Sequence, residues 1–428
     1  MDVEIIPSVL KGTVSAIPAK SELHRALICA SFADRETRIE LSGTLYQNES
    51  NIPDDIRATV SCLQALGAEI RFEPGLFLVI PSHRTPEEVS LNCLESGSTL
   101  RFLLPVAAAV ARKAVFTGHG RLPERPLSEL LSALSGHGIV FSSERLPLES
   151  SGLLRSGTFR VPGNISSQYI TGLLLAFPLL AGQSELQITT ELRSADYVRI
   201  TADIMSRFGV DVQENNDQWT VSSSSGYGSP GTIRIGGDWS NAAPFLVMGL
   251  LGRGNALSVT GLDQQSRQGD RAAAVLLSSM GGKLSSEENT LHVSSSPLSG
   301  IRIDIDPTPD LMPVLAVAAS SGSGRTEFTN AGRLRLKESD RIRSTAGLIR
   351  SLGGIATEAE DSLTVSAVPS LAGGEVDSGN DHRIVMAAAA ASCMASGPVL
   401  IRGAEAVRKS YPTFFDDFIS LGGVVHVL

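Results

Sequence analysis

The sequence has no long run of apolar residues. The longest apolar stretches, such as 173–181, are far shorter than the roughly 20 residues that a helix needs to cross a bilayer. The first residues, Met1 to Glu4, are acidic and lack the apolar core of a signal peptide. We therefore expect a soluble, cytoplasmic protein that does not bind membranes.

Cysteine is also scarce. Cys29, Cys62, Cys93 and Cys393 are scattered, and no two of them form a Cys-x-x-Cys pair. Neither a zinc site nor a disulfide framework is indicated, and small buried thiols are the simpler interpretation. We predict no metal and no other cofactor.

Basic residues are fewer than acidic residues. The chain has 36 Lys and Arg residues against 45 Asp and Glu residues, a net charge of −9. This balance argues against a general nucleic-acid or membrane surface, so an anionic ligand would need a local basic cluster.

Apolar residues make up 42% of the 428 residues and charged residues 19%. Such a composition is typical of a globular chain, and the length favours two large domains.

What the sequence does contain is a sixfold repeat. Six glycines each close an amphipathic segment and precede a short β-prone run, with spacings of 71, 71, 72, 72 and 69 residues. Glycine suits the left-handed position that follows a helix. The glycines are Gly67, Gly138, Gly209, Gly281, Gly353 and Gly422.

Six polar clusters alternate with these glycines. Each opens an alanine- and leucine-rich segment, such as 102–110 or 384–392, that is apolar nearly all round and is therefore expected to be a buried helix. Each repeat should then hold one buried helix, one amphipathic helix and several short strands. The clusters are Lys20-Ser21, Ser98-Thr99, Ser166-Ser167-Gln168, Ser240-Asn241, Asp310 and Asp381-His382-Arg383.

The repeats divide into two halves at a seam near residues 236–238. We predict an N-terminal lobe of residues 21–237 and a second lobe of residues 1–20 plus 238–428, each with three repeats around three buried helices. The first strand, 3–9, is expected to complete the sixth repeat beside the C-terminus.

The start of a buried helix has unpaired N–H groups and partial positive charge. A Ser, Asp or Asn side chain can cap it, and an anion can bind there. Capping alone is favoured at Ser240-Asn241, where no basic residue is near. Lys20-Ser21 and Asp381-His382-Arg383 add cationic groups that capping does not require. If the buried helices of both lobes point into one cleft, that cleft should bind anions.

Several motifs add to this pattern, although each is weak alone; a run such as 337–341 is more often a solvated helix start. Together they resemble the 5-enolpyruvylshikimate-3-phosphate synthase family from end to end. The matching motifs are Lys20-Ser21 with Arg25, Gly97-Ser98-Thr99-Leu100-Arg101, Arg121 with Glu124-Arg125-Pro126, Ser166-Ser167-Gln168, Ser194 with Tyr197, Pro309-Asp310, Lys337-Glu338-Ser339-Asp340-Arg341, Asp381-His382-Arg383 and Lys409.

The resemblance implies an α/β fold of two similar lobes, each with three βαβαββ units, helices inside and sheets outside (an inside-out α/β barrel). It also implies transfer of the carboxyvinyl group of phosphoenolpyruvate to the 5-hydroxyl of shikimate-3-phosphate, with release of phosphate. The residues expected at phosphoenolpyruvate are Lys20, Gly97, Arg125, Gln168, Arg341, Arg383 and Lys409. Those expected at shikimate-3-phosphate are Ser21, Arg25, Ser166, Ser167, Gln168, Ser194, Tyr197, Asp310 and Lys337.

The reaction needs an acid and a base. By the same resemblance Asp310 is expected to be the base and Glu338 the acid, with Lys20 as an alternative proton carrier. Addition would give a tetrahedral intermediate that the cations stabilise, and elimination would follow. No metal is required.

Gly97 is expected to line the donor pocket, which the inhibitor glyphosate occupies in the family. We predict that the protein is sensitive to glyphosate and that Gly97→Ala weakens the inhibitor more than the donor. Ala19, Glu95 and Arg333 stand where many relatives have Ser, Asn and Asn.

Two other functions share some of these sequence features. The UDP-N-acetylglucosamine enolpyruvyl transferases usually carry a reactive Cys in a loop that corresponds to residues 118–123, where this chain has none. A repeat ring that encircles nucleic acid would need basic residues along its lining helices, whereas here the charges lie at the starts of buried helices. The expected partners are therefore two small anionic substrates, with no nucleic acid, bound to a monomer.

Overall fold

A computed structural model describes residues 1–43, 45–82, 86–221, 226–252 and 254–428. Contacts divide the chain into two compact units. The terminal unit holds Met1–Ile17, Gly43–Leu45 and Gly236–Leu428, and the inner unit holds Pro18–Ser42 and Tyr46–Ile235. The lobes predicted from the sequence, with limits at residues 20 and 237, stay a prediction.

The described residues form six four-stranded sheets, three in each unit. In the inner unit, each in its spatial order, the sheets are β14 (Thr232–Ile235), β3 (Thr37–Leu41), β5 (Leu76–Ile80) and β4 (Glu69–Glu73); β6 (Glu88–Asn92), β7 (Lys113–Thr117), β9 (Leu148–Ser151) and β8 (Val140–Phe141); and β10 (Thr158–Val161), β11 (Ser184–Ile188), β13 (Gln218–Val221) and β12 (Val212–Asn215).

The sheets of the terminal unit repeat this pattern. They are β16 (Lys283–Glu287), β17 (Thr290–Ser294), β15 (Ala256–Thr260) and β2 (Lys11–Ser15); β18 (Arg302–Asp304), β19 (Arg325–Thr329), β21 (Leu363–Ser366) and β20 (Ile355–Glu358); and β22 (Gly374–Asp377), β23 (Val399–Arg402), β1 (Val3–Ile6) and β24 (Val424–Val427).

Every sheet contains one parallel pair and two antiparallel pairs, as in β6–β7 against β7–β9 and β8–β9. The sixth sheet takes its last strand from the start of the chain, because β1 pairs antiparallel with both β23 and β24. The expectation that the first strand completes the sixth repeat beside the C-terminus is confirmed.

Two strands pair with a strand of another repeat and not with the next strand along the chain. β2 precedes the first buried helix but pairs parallel with β15, in the terminal unit. β14 pairs parallel with β3, in the inner unit. β2 belongs to a sheet of the terminal unit although the next segment of the chain belongs to the inner unit. β14 belongs to a sheet of the inner unit although the next segment belongs to the terminal unit.

The helices alternate as expected. Those with mostly buried residues are α1 (Lys20–Ser31), α3 (Gly97–Val110), α5 (Ser167–Ala176), α7 (Trp239–Leu250), α9 (Met312–Ala319) and α11 (His382–Ala391). Those that bury one face are α2 (Asp54–Ala65), α4 (Ser128–Ser135), α6 (Ala195–Arg207), α8 (Ala272–Ser279), α10 (Arg341–Ser351) and α12 (Phe414–Ser420).

The predicted repeat order βαβαββ and the α/β fold class are confirmed, since each repeat follows that order. The six glycines that follow the amphipathic helices have φ values from 75° to 106°. A side chain at such an angle is strained, which explains why glycine recurs there. No helix in the described part of the chain is both long and apolar enough to cross a membrane.

Candidate active site

Four of the six buried helices begin with polar caps. The side chains of Ser96, Ser166, Asp238 and Asp381 accept hydrogen bonds from backbone N–H groups at the starts of α3, α5, α7 and α11. In the described residues α1 has no side-chain cap, because Ala19 precedes it. Its first turn relies on the backbone instead, since the carbonyl of Ala19 accepts from the N–H groups of Glu22 and Leu23.

In the inner unit, side chains join the starts of α3 and α5. Gln168 Nε2 donates to Ser98 Oγ at 3.0 Å, and Arg101 Nη1 donates to Gln168 Oε1 at 3.3 Å. Arg101 Nη2 also donates to the carbonyl of Pro126 at 3.0 Å. Gln168 is therefore fixed at the helix start where the sequence places it.

Gly97 is the first residue of α3, and two guanidinium groups pack against it. A Cβ at this position would overlap Nη1 of Arg125 and lie 2.8 Å from Nη1 of Arg101. The φ angle of Gly97 is not in the left-handed region. The glycine is thus required for space, not for backbone conformation.

Lys20 contacts the start of α2. Its Nζ lies 2.6 Å from Asp55 Oδ2, and the carbonyl of Asp55 accepts a hydrogen bond from Thr99 Oγ1. Asp55 thereby links the starts of α1 and α3. The shared place of Lys20 and Arg125 at phosphoenolpyruvate stays a prediction.

Arg25 is buried at 3% exposure and connects α1, α5 and α6. Its Nε donates to Thr201 Oγ1 at 2.8 Å, and its Nη2 donates to the Tyr197 carbonyl at 2.9 Å and to Thr171 Oγ1 at 3.3 Å. Nη1 donates to the Ser21 carbonyl. These acceptors are neutral, and burial lowers the pKa of Arg25 to about 10.

The hydroxyl residues expected at the acceptor phosphate lie at two neighbouring helix starts. Ser166 caps α5 and Ser167 is its first residue, while Ser194 immediately precedes α6. Helices α5 and α6 pack together. Ser194 has a φ of 53°, a left-handed conformation that is uncommon for a residue with a side chain.

In the terminal unit, one buried arginine binds three carboxylates. Arg341 is 1% exposed; it donates through Nη1 to Asp310 at 2.6 Å, through Nη2 to Glu338 at 2.7 Å and through Nε to Asp381 at 2.8 Å. Burial acts to lower the pKa of Arg341, but the three carboxylates raise it well above its ordinary value. Arg341 thus brings Asp310 and Glu338 together.

Three cations surround Asp310. Besides Arg341, Lys337 Nζ lies 3.4 Å from Oδ1 and Arg383 Nη2 lies 3.4 Å from Oδ2. Burial acts to raise the pKa of Asp310, but these cations and His382 outweigh it and hold the pKa well below its usual range. Asp310 is therefore ionised at neutral pH.

Arg383 also contacts the start of α7, since Nη1 donates to the carbonyl of Ser240 at 2.9 Å. The expectation that no basic residue is near Ser240 was wrong. The two residues are 143 positions apart in the chain and meet only through packing of α7 and α11. Lys409 lies at the other side of the α11 start, where Nζ donates to the carbonyl of Asn380 at 2.7 Å.

The sequence-based set omitted four residues of these clusters. Arg101 and Asp381 stand inside the matching motifs, but the resemblance assigns them no role. Asp55 and Asp270 lay outside every motif. Asp270 is 4% exposed, and burial, followed by the charge of Asp310, raises its pKa to about 6.

Comparison with known proteins identifies the family of the chain. The profile of the family EPSP synthase (3-phosphoshikimate 1-carboxyvinyltransferase) matches residues 5–418. The 3-phosphoshikimate 1-carboxyvinyltransferase of Clostridium kluyveri is 42% identical over 426 residues, 99% of this chain and 98% of its own. That of Clostridium novyi is 38% identical, again over 99% of this chain and 98% of its own.

Solved structures share the fold. An EPSP synthase from Acinetobacter baumannii superposes with a TM-score of 0.80 at 24% identity and covers all of both chains. The enolpyruvyl transferase NikO from Streptomyces tendae gives a TM-score of 0.79 at 18% identity, over 99% of this chain and 98% of its own. With a profile that spans nearly the whole chain and relatives near 40% identity, the chain belongs to the EPSP synthase family, the 3-phosphoshikimate 1-carboxyvinyltransferases.

Proposed function

We propose that the inner unit supplies most of the anion-binding groups for the family's reaction and that the terminal unit supplies the groups that move protons. The enzyme transfers the carboxyvinyl group of phosphoenolpyruvate to the 5-hydroxyl of shikimate-3-phosphate, in the pathway to aromatic amino acids. Both substrates are anions, and in this proposal each unit supplies hydrogen-bond donors and cations that bind them.

In the inner unit, Ser166, Ser167 and Ser194 bind the phosphate of the acceptor. The supporting observation is that they lie at two neighbouring helix starts, where N–H groups and hydroxyls favour phosphate. Arg25, with Ser21 and Tyr197, fixes the acceptor carboxylate. Lys20, Gln168, Arg125 and the backbone at Gly97 hold phosphoenolpyruvate, as Arg125 packs directly on Gly97.

In the terminal unit, Asp310 is the base and also contacts the acceptor hydroxyls together with Lys337. Arg341, Arg383 and Lys409 bind the donor anion. A carboxylate held by three cations is a weak base, because its low pKa reduces its proton affinity. When the donor's negative charges engage Arg341 and Arg383, those cations are shared with the ligand. The proton affinity of Asp310 then rises as the donor binds.

The proton transfers balance over two steps. In addition, Asp310 takes the proton of the 5-hydroxyl as that oxygen bonds to C2 of phosphoenolpyruvate, and Glu338 gives a proton to C3. In elimination, the C3 proton returns to Glu338, the C2–O bond to phosphate breaks, and the departing phosphate takes the proton from Asp310. The nearby cations stabilise the charge of the tetrahedral intermediate. Lys20 is the alternative proton carrier.

The observation that carries this proposal is that Arg341 holds Asp310 and Glu338 through its two Nη atoms. The test is a phosphate-release assay with both substrates on the wild type, Asp310→Asn and the exposed control Asp304→Asn. We expect Asp310→Asn to lower kcat by about 10²- to 10⁴-fold and Asp304→Asn to match the wild type. An Asp310→Asn rate near that of the control would refute the role of the base.

The same proposal describes the protein as a cytoplasmic monomer that binds no nucleic acid and no membrane. Its net charge of −9 supports this, since both of those surfaces are anionic. Light scattering at assay concentration should give the mass of one chain, 45.1 kDa. A mass of twice that value would contradict the proposal.

A further inference from the structure

The hydrogen bonds of Arg25 leave little of its guanidinium for a ligand. Arginine has five N–H groups, and hydrogen bonds within the described residues use four of them. Nε donates to Thr201, Nη2 donates to Thr171 and to the carbonyl of Tyr197, and Nη1 donates to the carbonyl of Ser21. The fifth N–H is on Nη1. Arg25 can therefore give one hydrogen bond to a carboxylate, and its direction depends on how the rest of the guanidinium is held.

Two threonine hydroxyls hold the opposite edge of this guanidinium. Thr201 Oγ1 accepts from Arg25 Nε at 2.8 Å and donates to the carbonyl of Tyr197, one turn earlier in α6, at 3.1 Å. Its single proton is used in that bond, so Thr171 is the donor in the 2.9 Å contact between the two hydroxyls. Thr171 Oγ1 in turn accepts from Arg25 Nη2 at 3.3 Å. The three side chains thus form a closed network.

The network is shielded from water. Thr171 and Thr201 are both 0% exposed, and the ring of Phe102 covers one face of the guanidinium, with Arg25 Cζ 4.9 Å from the ring centroid. The buried residues beside Thr201 in α6 include the apolar Val198 and Ile204. An apolar side chain would therefore fit the core at position 201, and the hydroxyl of Thr201 is explained by its bond to Arg25.

We propose that Thr201 is a positioning residue for shikimate-3-phosphate, which fixes the guanidinium of Arg25 so that its remaining Nη1 N–H meets the carboxylate of that substrate. This inference rests on the proposed role of Arg25 at that carboxylate. Thr171 supports Thr201 by donating to its hydroxyl. Because both threonines are fully buried, neither touches the substrate itself.

The experiment is calorimetry with two ligands, shikimate-3-phosphate and an analogue in which a hydroxymethyl group replaces its carboxylate. Thr201→Val keeps the shape of the side chain but removes the oxygen that Arg25 Nε binds. We expect it to weaken shikimate-3-phosphate about tenfold, the size of one lost hydrogen bond to a charged group, and to leave the affinity for the analogue within about twofold. Thr201→Ser restores the oxygen and should recover most of the loss.

Steady-state kinetics of the same proteins give a second readout. Thr201→Val should raise KM for shikimate-3-phosphate, while kcat and KM for phosphoenolpyruvate stay near the wild-type values. Thr171→Val should act in the same direction with a smaller effect, because Thr171 accepts from Arg25 over the longer distance of 3.3 Å. A general loss of folding would instead lower kcat and affect both substrates.

Thr326→Val is the matched control. Thr326, in β19 of the terminal unit, is also 0% exposed, and its Oγ1 accepts from the backbone N–H of Ile301 at 3.3 Å. Its substitution removes a buried hydroxyl with one hydrogen bond and should leave the affinity for both ligands unchanged. Urea unfolding of both valine variants shows what each lost hydroxyl costs in stability.

Three results would overturn the inference: an unchanged affinity of Thr201→Val for shikimate-3-phosphate, equal weakening of both ligands, or a serine variant as weak as the valine variant. Arg25→Met reports separately on the proposed function. If Arg25→Met weakens shikimate-3-phosphate while Thr201→Val does not, only the role of Thr201 fails. If Arg25→Met has no effect either, the role of Arg25 fails and the inference fails with it.

Discussion

The two units place their polar residues at the same points of the repeat, the starts of the buried helices, but they pair them differently. Arg25 in the inner unit donates to Thr201, Thr171 and two backbone carbonyls, all neutral. Arg341 in the terminal unit donates to three carboxylates. Both arginines are buried, yet the pKa is lowered to about 10 in the first and raised in the second.

This difference shows how one repeat supports two kinds of chemistry. The neutral partners of Arg25 keep the same charge across the physiological pH range, so this part of the inner unit can hold an anion steadily. Ion pairs respond when a ligand brings new charge, because the cations are then shared. The terminal unit is thus suited to change the proton affinity of Asp310 during the reaction.

The largest effect should come from removing Arg341. Arg341→Met leaves buried carboxylates without their common cation, so we expect the free energy of unfolding to fall by about 3–5 kcal/mol. Arg199→Met is the control, since Arg199 also binds two carboxylates, Asp196 and Glu214, but is 47% exposed; its cost should stay below about 1 kcal/mol. Urea unfolding measures both, and equal losses would erase the distinction between buried and exposed ion pairs.

Removing Arg25, a buried cation of the inner unit, should cost less. Arg25→Met leaves neutral acceptors unpaired, not carboxylates, and about 2 kcal/mol is expected from lost hydrogen bonds. The measurement is again urea unfolding at pH 7.5. A loss as large as that of Arg341→Met would contradict the idea that the two units pair their cations differently.

Gly97→Ala sharpens the comparison within the inner unit. The added Cβ must displace the Arg125 guanidinium, so KM for phosphoenolpyruvate should rise about tenfold, equivalent to one lost charged hydrogen bond. The unfolding midpoint should change little, because the φ angle of Gly97 suits alanine. We expect inhibition by glyphosate to weaken more than donor binding. If glyphosate and phosphoenolpyruvate lose affinity equally, the displacement of Arg125 alone accounts for the loss, and the selective effect on glyphosate is contradicted.

The smallest expected effect is a loss of folding stability at acidic pH, caused by His24. His24 in α1 is 1% exposed, and burial, followed by Lys20 and Arg25, holds its pKa well below the ordinary 6.5. Below pH 6.5 the unfolded chain takes up a proton that the folded chain excludes, so stability falls by up to about 1.4 kcal/mol per pH unit. His24→Gln should flatten this dependence between pH 6.5 and 5.5 in urea titrations. An unchanged slope would mean that His24 is protonated in the folded protein.

The repeat, the alternation of buried and amphipathic helices and the left-handed glycines could all be predicted from sequence, because each depends on a local pattern. The residues of the candidate site came from resemblance to a family, and their roles stay predictions. The predicted lobes place residues 11–15 in the second lobe and 232–235 in the first, but the parallel partners of β2 and β14, which are β15 and β3, could not be predicted from a local pattern. The contacts of Arg383 with Ser240 and of Lys20 with Asp55 could not be predicted either, because they depend on packing between segments distant in the chain.

The most direct test of the division between the units compares Ser167→Ala with Asp310→Asn. Calorimetry gives the dissociation constant of shikimate-3-phosphate, and single-turnover quench gives the rate of the chemical step. We predict that Ser167→Ala weakens binding about tenfold and leaves the chemical step near the wild-type rate. Asp310→Asn should slow that step by at least about a hundredfold with binding nearly unchanged. The opposite pattern, or equal effects of both substitutions on both quantities, would contradict the division.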